Sequence, residues 1–83
     1  MNFTRTVHVN GEVHALEGDA PTLLDLVGAV TGHELAANGS RSDGGRLPIA
    51  AAVGGEVVPR GSWCAHLLAQ GDDVEIVTAV QGG

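Results

Sequence analysis

One segment of the sequence has the periodicity of an amphipathic α-helix, and it limits how the rest of the chain can pack. Thr22 is the expected N-cap, Asp25 three residues later completes a weak capping box, and Gly32 stands where the helix should end. Because such a helix buries one face and cannot cover two sheets, the chain is predicted to form a single sheet packed on this helix. The apolar stripe consists of Leu23, Leu26, Val27 and Val30.

A first hairpin is predicted before the helix. Asn10-Gly11 is a pair typical of the two-residue type I′ turn, in which both central residues have positive φ, and short apolar strands flank it. A two-residue turn also fixes which residues lie opposite each other, although this register mixes polar and apolar partners on one face. The predicted pairs are Val9 with Glu12, Val7 with His14, and Arg5 with Leu16.

Three further strands are predicted after the helix. Ile49–Val53 and Glu56–Val58 flank a Gly54-Gly55 turn, and Ser62 is expected to cap a short helical turn that follows. Residues 74–80 are apolar at nearly every position, which predicts a central last strand covered on both faces.

The chain of 83 residues suffices for one core only. We therefore expect a single α+β domain over residues 1–83: one mixed sheet of about five strands, one main helix and a short helical turn. Residues 33–46 lack periodicity and are rich in turn formers, so they are predicted to form a long flexible loop, and residues 81–83 an extended tail. The predicted core includes Leu26, Val27, Val53, Val74 and Ile76.

Charge and composition limit the classes of partner that the protein is expected to bind. Ten acidic residues against four basic ones give a net charge of −6, which disfavours nucleic acid and favours either a basic protein partner or simple solubility. The apolar stretches are too short to span a bilayer, and a single Cys64 fits a reducing compartment. We expect a cytoplasmic protein that binds neither nucleic acid nor membrane.

No catalytic or metal-binding constellation is recognisable in the sequence. The four histidines have no metal-ligand spacing, and Cys64, expected to be half-buried, has no fixed basic partner. We therefore predict no enzyme, no metal and no bound cofactor. The remaining candidate is Gln81-Gly82-Gly83, a slender tail whose α-carboxylate has an ordinary pKa of about 3.5 and is ionised at neutral pH.

Four segments in order, with Gly82-Gly83 last, resemble the thiamine-biosynthesis sulfur-carrier (ThiS) family, whose members are small ubiquitin-like β-grasp proteins. Three departures stand out: Gly54-Gly55 replaces the usual Asn-Gly, Gln81 replaces a third glycine, and the loop 33–46 is longer. The four segments are residues 7–12, 17–26, 49–63 and 71–80.

The resemblance implies a protein substrate rather than an enzyme. An E1-like adenylyltransferase (ThiF-like) would use ATP and magnesium to adenylate the carboxylate of Gly83. A persulfide sulfur donor would then lead to a thiocarboxylate, which gives its sulfur to thiazole synthase (ThiG-like). Gly82 and Gln81 are expected to be recognised by the partner when it binds the tail. Pro59 and Arg60 are expected to form a further partner contact.

Three alternatives stay open. The small subunit of molybdopterin synthase has the same fold and tail chemistry, but its usual Pro-Pro before the glycines is missing from Thr78-Ala79-Val80-Gln81. Sulfur carriers of other pathways are the second alternative. The third is a non-enzymatic β-grasp recognition module, which needs no free Gly-Gly.

Overall fold

A computed structural model describes residues 4–78. The five strands form one mixed sheet in the order β2-β1-β5-β3-β4, in which β1 and β5 are parallel and the other neighbours antiparallel. The predicted α+β architecture is confirmed, including the central position of the last strand. The elements are β1 (Thr4–Val9), β2 (Glu12–Glu17), α1 (Leu23–Thr31), β3 (Ile49–Val53), β4 (Glu56–Val58), a 3₁₀ helix (Arg60–Ala65) and β5 (Asp73–Thr78).

The first hairpin has the predicted register. Asn10 and Gly11 both adopt positive φ, 51° and 85°, as a type I′ turn requires. The polar residues that share a face of the hairpin with apolar ones lie at its two ends. Glu12, beside the turn, is exposed to solvent. At the other end Arg5, opposite Leu16, donates from its guanidinium to the Leu68 carbonyl at 2.9 Å.

The helix α1 has both predicted caps. The Asp25 amide donates to Thr22 Oγ1 at 3.2 Å, and the Thr22 amide donates to Asp25 Oδ2 at 2.9 Å, so the capping box is complete. Gly32 ends the helix with a φ of 73°, and its amide donates to the Gly28 carbonyl at 2.9 Å.

The core lies between α1 and the inner face of the sheet. Leu26, Val27 and Val74 are buried as predicted, and Val53 and Ile76 pack against them partly buried. Val30, in the final turn of α1, is 38% exposed, so the buried stripe ends one turn earlier than its periodicity predicts. The buried set is Val7, Val9, Leu16, Leu23, Leu26, Val27, Leu47, Ala51, Val58, Trp63, Leu68 and Val74.

Two local predictions are wrong. The 3₁₀ helix begins one residue after Pro59, which makes no side-chain cap, and Ser62 lies inside the helix with its amide donating to the Pro59 carbonyl at 2.8 Å. The last strand is covered on one face only, since Asp73, Glu75 and Val77 are exposed. A single helix on the inner face leaves the outer face of β5 open.

The segment 33–46 is a loop, but it is hydrogen-bonded within itself. Leu35 and Arg41 form an isolated β-bridge, and the Ala36 amide donates to the Ser40 carbonyl at 2.8 Å. The Arg41 guanidinium and the Gly45 amide donate to Asp43 and hold the pKa of that carboxyl below its ordinary value, so this contact weakens as pH falls through the lowered pKa. The predicted flexibility of the loop stays a prediction.

Candidate functional site

The strand β5 is the described element that leads toward the predicted tail. It lies between β1 and β3: Val74 pairs with Val9 on one side and Val53 on the other, and Thr78 pairs with Ile49. The predicted site residues Gln81, Gly82 and Gly83 lie outside the described residues. What the structure defines is therefore the base from which the tail extends.

The Asn10 side chain makes an unexpected contact with this base. Its Nδ2 donates to the Ile76 carbonyl at 3.0 Å, and its Oδ1 accepts from the Ile76 amide at 3.0 Å. The Asn10 amide also donates to the Val74 carbonyl at 2.9 Å. The sequence identified Asn10 as a turn residue only, because no local pattern places it beside a strand 66 residues away.

The outer face of the sheet has an exposed apolar patch next to β5. Val57 of β4 and Val77 of β5 are 74% and 55% exposed, and Ala50 and Ala52 of β3 lie between them on the same face. Glu75, paired with Ala52, also points to this face. Among the described strand residues that share the face there is no arginine, and the sequence has no lysine.

The sequence did not single out this patch. The signal was the alternation of Asp73 and Glu75 with Val74 and Ile76, which indicates one covered and one open face. Once that alternation is recognised, Val77 falls on the open face with Glu75.

Arg60 holds the long loop against the 3₁₀ helix. Its guanidinium donates to the carbonyls of Gly39 at 3.3 Å, Leu47, and Ile49 at 3.0 Å. It also lies over the Trp63 ring, 5.0 Å from the centroid. The Arg60 side chain is therefore part-buried, whereas its neighbour Pro59 is exposed. The partner contact of both residues stays a prediction.

Trp63, whose ring lies under the Arg60 guanidinium, is a packing residue. It is 1% exposed, and its Nε1 donates to the Val58 carbonyl at 2.9 Å, so burying the indole leaves no unpaired donor. Gly39 packs so closely on Arg60 that a Cβ there would lie 2.8 Å from the Arg60 carbonyl oxygen. The loop and the 3₁₀ helix are thus fitted to each other.

We expect Arg60→Ala to lower the free energy of unfolding by about 1–3 kcal/mol, since it removes part-buried charged donors from three carbonyls. Amide hydrogen exchange of residues 33–46 should accelerate in the same variant. Urea denaturation and exchange measured by NMR test both effects, with Arg46→Ala, the loss of an exposed arginine in the same loop, as the matched control. Unchanged stability and unchanged loop protection would contradict the bracing role.

The other reactive side chains are dispersed over the part of the chain that the structure describes. His8 and His14 point to opposite faces of the first hairpin, and no group of three or more potential metal ligands occurs among residues 4–78. Cys64 is exposed rather than half-buried as predicted. No helix in the described ranges has the length and hydrophobicity that crossing a membrane requires.

A single mixed sheet with two parallel central strands, β1 and β5, gripping one helix on one face, defines a ubiquitin-like β-grasp protein. The model of the ThiS family matches residues 4–83. The chain belongs to the ThiS family, as the sequence resemblance predicted.

Solved structures show the same fold. A crystal structure of a thiamine biosynthesis protein (ThiS) from Geobacter metallireducens is 22% identical, with 94% of this chain and 99% of that chain covered and a TM-score of 0.65. An NMR solution structure of a thiamine biosynthesis protein from the same organism is 23% identical over 94% of this chain and 87% of that chain, with a TM-score of 0.61. A comparison with curated proteins finds no match.

Proposed function

We propose that this protein is a sulfur carrier of thiamine biosynthesis, and that it is a protein substrate rather than an enzyme. The observation that carries the proposal is the family match, which continues through residues 79–83 and so includes the Gly82-Gly83 tail. The position of β5 supports it, since a strand held from both sides is a firm base for a tail that another protein must receive.

The proposed chemistry takes place at the Gly83 carboxylate. Its oxygen attacks the α-phosphate of magnesium-bound ATP on an E1-like adenylyltransferase, and pyrophosphate leaves. A persulfide sulfur then attacks the acyl carbon of the adenylate, and AMP leaves. A thiol cleaves the resulting acyl disulfide and is itself oxidised to a disulfide, which releases the thiocarboxylate. Thiazole synthase is the proposed acceptor of this sulfur.

The protein contributes recognition and delivery to these steps. Gly82 has no side chain and Gln81 is unbranched, so the tail can enter a narrow channel of the enzyme. Pro59, which is exposed, is proposed as a further partner contact, and Arg60 contributes through the surface that it braces.

The outer-face patch is the surface that we propose to dock on the adenylyltransferase. Val77 stands six residues before Gly83 in the sequence, so a partner that holds the Gly83 carboxylate lies within about 22 Å of this residue of the patch. The patch adjoins the Glu75 carboxylate and the whole chain carries a net charge of −6, so the complementary partner surface is apolar at its centre and basic at its rim.

Intact-mass spectrometry tests the proposed function. The carrier is incubated with the cognate adenylyltransferase, ATP, magnesium and a sulfur donor, and a reaction without ATP is the control. We expect the mass to rise by the difference between one sulfur and one oxygen, with fragment spectra placing the change on Gly83.

The rate at which the carrier associates with the adenylyltransferase should fall with added salt, because salt screens the attraction between opposite charges that steers the encounter.

Two results would contradict the proposal. A wild-type chain that no such enzyme adenylates, and that instead binds RNA tightly, would favour the recognition module. A thiocarboxylate that passes its sulfur to a molybdopterin precursor and not to thiazole synthase would keep the carrier chemistry and change the pathway.

A further inference from the structure

The turn residue Asn10 continues the sheet beyond the end of β1. The strand β1 pairs with β5 at two positions, His8 with Asp73 and Val9 with Val74. After Val9 the chain turns away, and the Asn10 carboxamide occupies the position of the next strand residue, with one donor and one acceptor on Ile76. The side chain thus adds one more pair of ladder-like hydrogen bonds to β5.

The requirements at this position favour asparagine. The turn places residue 10 at a φ of 51°, a left-handed conformation that asparagine tolerates better than most residues. The bridge to Ile76 needs a donor and an acceptor on one short side chain, which a carboxamide supplies. Glycine meets the first requirement only, and aspartate has the acceptor without the donor.

The bridge lies at the point where β5 would otherwise lose its neighbour on the β1 side. The carbonyls of Asp72 and Val74 accept from β1 and its turn, and the Ile76 amide and carbonyl face the same way. On the opposite side, β3 stays paired with β5 as far as Thr78. Without the Asn10 carboxamide, the backbone of β5 beyond Val74 has hydrogen-bond partners on the β3 side alone among the described residues 4–78.

We propose that Asn10 is a positioning residue for the tail: by bridging to Ile76 it fixes the course of β5 just before residues 79–83. The proposal rests on the proposed function, since it concerns delivery of Gly83 to the adenylyltransferase. A fixed course lowers the conformational entropy that the enzyme must remove when it captures the tail. Loss of the bridge should therefore weaken capture more than it slows the chemical step.

Two variants separate the bridge from the turn. Asn10→Gly keeps the positive φ and removes the carboxamide, while Asn10→Asp keeps an acceptor for the Ile76 amide and places a carboxylate oxygen against the Ile76 carbonyl. Gln70→Ala is the matched control: its exposed side chain accepts from the Thr6 amide at 2.9 Å, so the variant loses a side-chain-to-backbone bond elsewhere in the sheet.

The readouts are pyrophosphate release at saturating ATP as the carrier concentration is varied, amide exchange of Ile76, and ¹⁵N relaxation of Val77 and Thr78. For Asn10→Gly we expect the KM for the carrier to rise about 5- to 20-fold, because the enzyme must then fix the backbone that the bridge had fixed, with kcat within about two-fold. Exchange of the Ile76 amide should accelerate. In Asn10→Asp the KM should also rise, and in Gln70→Ala all three readouts should stay near those of the wild type.

Two outcomes would overturn the positioning role while the proposed function stands. One is an adenylated wild type with an Asn10→Gly variant whose KM and Ile76 exchange are unchanged. The other is an equal rise in KM for Gln70→Ala, which would show that any loss of sheet stability has the same effect. A wild-type chain that is not adenylated at all overturns the proposed function itself, and the positioning role with it.

Discussion

Removal of Gly82 and Gly83 is expected to abolish formation of the acyl adenylate and the thiocarboxylate, while the free energy of unfolding changes by less than about 0.5 kcal/mol. The truncated chain ends in a carboxylate on Gln81, about 7 Å short of the position that the proposed chemistry requires. The buried residues of the described core extend no further along the chain than Val74, so the deletion removes none of them. Pyrophosphate release and intact mass measure the first effect, and urea denaturation the second.

Gly82→Phe is the matched control for the deletion, because it separates the shape of the tail from its length. It keeps the number of residues and the Gly83 carboxylate, but its side chain should prevent entry into a narrow channel, so conversion should again be lost. Gly82→Ala, which adds a single methyl group, should retain part of the activity. Efficient conversion of the truncated chain would rule out Gly83 as the attachment site.

The parts of the fold that the sequence predicted are those with local causes. The Asn10-Gly11 turn fixes the register of its own hairpin, and the side chains of Thr22 and Asp25 cap the helix that they begin. The open outer face does not follow from the sequence, because residues 74–80 are apolar at nearly every position and only Glu75 and Thr78 interrupt them. Alternation over only six strand residues is a weak signal, and the number of helices available to cover the sheet was the better guide.

The same distinction between local and distant causes separates the site residues that the sequence predicted from those that it did not. Gly82-Gly83 was recognised because the tail chemistry depends on residues adjacent in sequence. The bridge from Asn10 to Ile76 and the contacts of Arg60 with Gly39 and Leu47 join segments that are far apart in the chain. Such contacts depend on how the strands are ordered in the sheet, and neither residue type reveals its partner.

Leu26→Ala is expected to lower the free energy of unfolding by about 2–5 kcal/mol. Leu26 is fully buried on the helix α1, which covers the inner face of the sheet, so truncation leaves a cavity at the centre of the core. A domain of this size has about 5–10 kcal/mol of stability in total, so the variant should lose a large share of it. The midpoint of urea denaturation, followed by Trp63 fluorescence, measures the loss.

Val30→Ala on the same helix is the matched control. Val30 is 38% exposed, so its truncation removes less buried surface than that of the fully buried Leu26, and alanine has the higher helix propensity. We expect that variant to change stability by less than about 1 kcal/mol. A loss below about 0.5 kcal/mol for Leu26→Ala, or equal losses for the two variants, would mean that α1 does not pack on the sheet through Leu26. Because α1 holds the sheet from which β5 delivers the tail, the Leu26 variant should also be converted more slowly at temperatures where part of it is unfolded.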